Sequence, residues 1–148
     1  MNDFAKNYAK QVRQDREDED LAKQSFVQGE KLKDELGPKL WDKLRARLQA
    51  NSEDINKEMG EDFFSFESRS SRDFKVTTSS PVGHLTVEFD AASRSINFDY
   101  GTGTGEYVID INENGEPFLR LEDPKRPDIF EIESTAQYLL ECVIKSPL

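Results

Sequence analysis

The chain has 148 residues and a formal net charge of −10, with 34% charged and 35% hydrophobic residues. Ten Phe, four Tyr and one Trp, spread along the chain, argue against wholesale disorder, and the length suits a single domain with a real core. Residues 1–60 hold 12 Lys and Arg against 13 Asp and Glu, while residues 61–148 hold 8 against 17, so the acidity belongs to the second half. That half is expected to repel nucleic acid and anionic membranes, which are recognised through Lys and Arg.

The first residues, Met1 to Phe4, carry no charged-then-apolar leader pattern, and the longest nearly apolar run, Tyr138–Ile144, is far short of a membrane span. The expected compartment is cytoplasmic. Cys142 is the only cysteine, so no internal disulfide can form; its apolar neighbours Leu139, Leu140, Val143 and Ile144 mark it as a core residue.

In chain order, the first expected helix runs from about Asp3 to Leu36. Phe4, Tyr8 and Val12 recur every fourth residue, and Leu21, Ala22, Phe26, Leu32 and Leu36 resume an apolar side later. Between them, Arg13–Asp20 holds no apolar residue. Gly37-Pro38 reads as a stop, with Gly at the left-handed position after one helix and Pro in the first turn of the next. The second helix, 38–59, carries Leu40, Trp41, Leu44, Leu48, Ile55 and Met59 on one face, so residues 1–60 are expected to form a helical hairpin.

From Phe63 the apolar period becomes two. Segments around Phe64–Phe66, Phe74–Thr78, Leu85–Phe89, Ile96–Tyr100, Tyr107–Ile111 and Leu119–Leu121 read as strands, with a short one over Ile129–Ile132. The short connections Ser79–Gly83, Asp90–Arg94, Gly101–Gly105, Asn112–Glu116 and Glu122–Asp128 imply an antiparallel meander of five or six strands. A last helix follows, with Ser134 and Gln137 spaced as a capping box. The fold class is α+β, with helices covering the dry face of a one-sided sheet, and 1–60 and 61–148 forming one structural domain.

Catalytic signatures fail one by one. His84 is the only histidine, and it starts a strand in phase with the polar face. Gly101-Thr-Gly-Thr-Gly105 lacks the phosphate-loop Lys and precedes a strand rather than a helix N-terminus. Asp110-Ile-Asn-Glu-Asn-Gly115 copies the start of a calcium loop, but its twelfth position is Leu121 and Asn114-Gly115 is a hairpin signal. If Phe89 faces Ile96, then Glu88 faces Asn97 and Thr86 faces Asp99. The next hairpin is expected to bring Asp110 opposite Asn97, with Arg120 a strand away. Glu88, Asn97, Asp99 and Asp110 are thus a candidate polar or metal patch, weighed against an ordinary solvated face.

The N-terminal helix offers a different candidate. It should overhang a shorter partner helix, leaving Phe4, Tyr8 and Val12 to bury against the chain's own sheet, a second copy or another protein. The reading favoured is a non-catalytic protein-interaction module without cofactor. A small-ligand or hydrolase-like domain using the acidic sheet face, and an acidic mimic of nucleic acid, are the alternatives.

Overall fold

The computed structural model describes residues 3–121 and 131–145, and the backbone alone at 129–130. The expected connection Glu122–Asp128 lies outside them. Helix α1 spans Asp3–Met59, followed by strands β1 (Phe64–Ser70), β2 (Asp73–Ser79), β3 (Val82–Asp90), β4 (Ser95–Asp99), β5 (Thr104–Ile111), β6 (Pro117–Leu121) and β7 (Ile129–Phe130), then helix α2 (Ile132–Lys145). Strands β1–β6 form an antiparallel meander in chain order, and the two-residue β7 pairs onto its end.

The expected helical hairpin is not formed: Asp3–Met59 is one helix with Pro38 inside it. Pro in a helix interior loses one hydrogen bond and crowds the carbonyl four residues back, a cost of about 3 kcal/mol. Two features offset it. Gly37 has no Cβ to meet the Pro ring, and it keeps a negative φ. Packing supplies the rest: Gly37, Leu40, Trp41, Leu44 and Leu48 are buried on one side, and each large apolar side chain contributes about 1.5–3 kcal/mol on burial. The stop comes at Gly60, φ 68°, where Glu61 N–H reaches the Asn56 carbonyl and Gly60 N–H the Lys57 carbonyl, both at 3.2 Å.

Helices α1 and α2 cover the dry face, where Phe74, Val76, Leu85, Val87, Phe89, Ile96, Phe98, Tyr107, Ile109 and Leu119 are buried. Trp41 sits at the centre. Its ring stacks on Phe74 and Phe89, and Nε1–H donates to the Ser71 carbonyl at 2.8 Å. Asn56 clips the edge strand, its side-chain amide donating to the Phe64 carbonyl at 2.9 Å and its oxygen accepting from Phe64 N–H at 2.8 Å. The expected capping box is absent: α2 starts two residues before Ser134, whose hydroxyl donates back to the Glu131 carbonyl, while Gln137 bonds Glu133. Among the described residues, no helix is long and apolar enough to cross a membrane.

Candidate interaction surface: the N-terminal arm

Because α1 does not fold back at Gly37, its first half has no partner helix among the described residues. Residues 3–28 are exposed apart from half-buried Val12. This arm is about 39 Å long at 1.5 Å per residue. Phe4 is 75% exposed, Tyr8 63% and Phe26 69%; Leu21 and Val27 are also open. The Phe4 and Tyr8 rings stack at 6.0 Å.

At about 100° per residue, Phe4, Tyr8, Val12, Ala22 and Phe26 lie on the same side of α1 as Leu40, Leu44 and Leu48. The face that the sheet covers in the second half therefore continues uncovered along the arm. Asp15 and Glu19 lie on the same stripe, between its two apolar ends. Asp15 accepts from the Gln11 amide at 2.9 Å, and Glu19 pairs with Lys23 at 3.3 Å.

The arm leaves the domain through a charged collar. Arg94, at φ 53° in the β3–β4 turn, binds Asp34 at 2.8 Å and Glu30 on α1. Lys33 lies 3.4 Å from Glu30 and 3.6 Å from Asp110, which lies 3.8 Å from Arg120. The Arg94 hydrogen bond holds the Asp34 carboxyl below its usual range, against the opposing effect of desolvation.

The polar sheet face is arranged differently from expectation. Glu88 lies opposite Asn97 and Thr86 opposite Asp99, but Asn97 lies opposite Glu106. Asp110 is on the collar instead. The cause is the glycine segment. Thr104 and Gly105 belong to β5, leaving only Tyr100–Gly103 as the loop, closed by Tyr100 N–H to the Gly103 carbonyl at 3.0 Å. The Phe98 ring lies over Gly105 and Tyr100 over Gly103, where a Cβ would overlap them. These glycines make room for rings. Thr86, Glu88, Asn97, Asp99, Thr104 and Glu106 edge a shallow hollow of about 540 Å³. Among the described residues, no group of three His, Cys, Asp or Glu side chains could hold a metal ion.

The calcium-like segment is a hairpin turn. Asn112 Oδ1 accepts from Asn114 and Glu116 N–H at 3.0 and 2.9 Å, and Gly115 takes φ 76°. His84 is half-buried opposite Thr77 on β2. Burial pushes the Cys142 thiol up, away from a reactive thiolate, and does the same to the Tyr107 phenol.

Sequence reasoning singled out Phe4, Tyr8 and Val12 as an apolar stripe but missed the collar, whose Arg94 and Asp34 are 60 residues apart. Comparison of the chain with family models, curated proteins and solved structures gives no match.

Proposed function

We propose that this protein is a non-catalytic interaction module whose working surface is the arm, residues 3–28 of α1. The observation that carries the reading is the continuation of the core-facing side of α1 onto a segment where Phe4, Tyr8 and Phe26 stand in solvent. Helices in proteins owe most of their stability to a covered apolar face, and the apolar face of this segment stands open. The collar of Arg94, Glu30, Lys33 and Asp34 orients the arm away from the domain, which suits delivery of the helix to another surface. The acidic sheet face supports a ligand reading less well, because its hollow is shallow and its carboxylates are spread over three strands.

The reading is tested by removing the arm. A chain beginning at Val27 is expected to melt within about 3 °C of the full chain, since the arm adds nothing to the core. A fall of about 10 °C or more would make the arm part of the domain's own structure and overturn the reading.

A further inference from the structure

The charges on the buried-side face of α1 point to what covers the arm. Where this face is covered, at the collar, its charges meet opposites on the covering sheet and its β3–β4 turn: Glu30 meets Arg94 as well as Lys33 on α1, and Lys33 meets Asp110. Farther out, the same face presents Asp15 and Glu19 between the apolar ends Phe4–Tyr8–Val12 and Ala22–Phe26, with Lys23 at its margin on the side that Trp41 takes in the covered half. Ends and middle together extend about 33 Å. Within the chain, Asp15 is met by the Gln11 amide and Glu19 by Lys23, whose side chain is 69% exposed. An exposed pair of this kind is weak and readily exchanged.

Resting on the interaction reading above, we propose that the arm's partner is another protein with an apolar helix-binding groove that carries Lys or Arg at its middle. A second copy of this chain does not fit. Pairing two arms antiparallel with Phe4 opposite Phe26 sets Asp15 against Asp15 at the two-fold axis, and parallel pairing stacks both carboxylates on their twins. Like charges so placed disfavour association. A membrane surface does not fit either, because the carboxylates stand in the middle of the face that would enter it.

Two measurements decide this. In the first, sedimentation of the full chain over the micromolar range is expected to show a monomer, whereas Asp15→Leu with Glu19→Leu, which joins the two apolar ends, is expected to self-associate. A wild-type dimer that disappears in the chain beginning at Val27 would overturn the proposal while leaving the interaction reading intact. In the second, the probe is a designed two-helix hairpin with a leucine-lined groove, made with two arginines or two glutamates at its middle. The full chain is expected to bind the arginine hairpin about tenfold or more tighter than the glutamate one, and Asp15→Arg with Glu19→Arg is expected to reverse the preference. Equal affinity for the two hairpins, or no binding to the arginine form, would overturn it.

Discussion

Arg94 donates from Nε to Asp34 Oδ1 at 2.8 Å, joining the β3–β4 turn to the middle of a 57-residue helix. The same guanidinium binds Glu30 one turn earlier, so one side chain fixes the direction in which the arm leaves the sheet. Asp34 is 59% exposed, and an ion pair open to water on one side contributes little to global stability. Arg94→Met should therefore leave the melting temperature nearly unchanged but loosen the arm. Spin labels at positions 14 and 65, in a Cys142→Ala background, should show a broader distance distribution in the variant. An unchanged distribution would mean that helix stiffness alone sets the arm's direction.

Gly105 lies beneath the Phe98 ring, so Gly105→Ala should cost about 1–3 kcal/mol by overpacking. Combining it with Phe98→Leu should recover part of that loss, measured by denaturant unfolding. Additive losses would contradict the ring-over-glycine contact.

Pro38 interrupts the hydrogen bonding of a helix that continues on both sides. Pro38→Ala should stabilise the protein by about 1–3 kcal/mol and leave the fold unchanged. Destabilisation would indicate that the chain breaks at Gly37 after all.

Asp34, Asp90 and Glu133 are all held below their ordinary pKa, by hydrogen bonds from Arg94, Ser93 and Arg47 respectively. A carboxylate depressed in the folded state stabilises fully above its unfolded value. That contribution is lost as pH falls through the folded one. Thermal stability should therefore stay level with respect to these groups down to about pH 5 and fall below about pH 4. Asp34→Asn should reduce the acid-side slope, and an unchanged slope would remove Asp34 from the linkage.

The two-residue period read out the strands because one sheet face is dry and the other wet, and Phe89 opposite Ile96 follows from the short Asp90–Arg94 turn. Two failures share a cause. Gly37-Pro38 and Gly101–Gly105 are local stop signals, and each was overridden by side chains brought in from elsewhere. At Gly37 the sheet residues Phe89 and Ile109 close over the glycine; at Gly105 the Phe98 ring fills the space a side chain would take. The second misreading displaced Asp110 from the expected patch and put Glu106 there. The Phe4, Tyr8 and Val12 stripe was legible because an apolar four-residue repeat needs no tertiary information. Its continuity with Leu40, Leu44 and Leu48 was hidden by the supposed break at Gly37.

Hydrogen exchange of the arm amides, compared with those of the covered half of the same helix, tests the interaction reading most directly. In a dilute solution of the 148-residue chain, amides from Ala5 to Phe26 should exchange far faster than those from Leu40 to Leu48, and binding of the arginine hairpin should slow them. Equal protection of both stretches in the dilute, unbound protein would show that the arm is already covered, and would contradict its role as a docking helix.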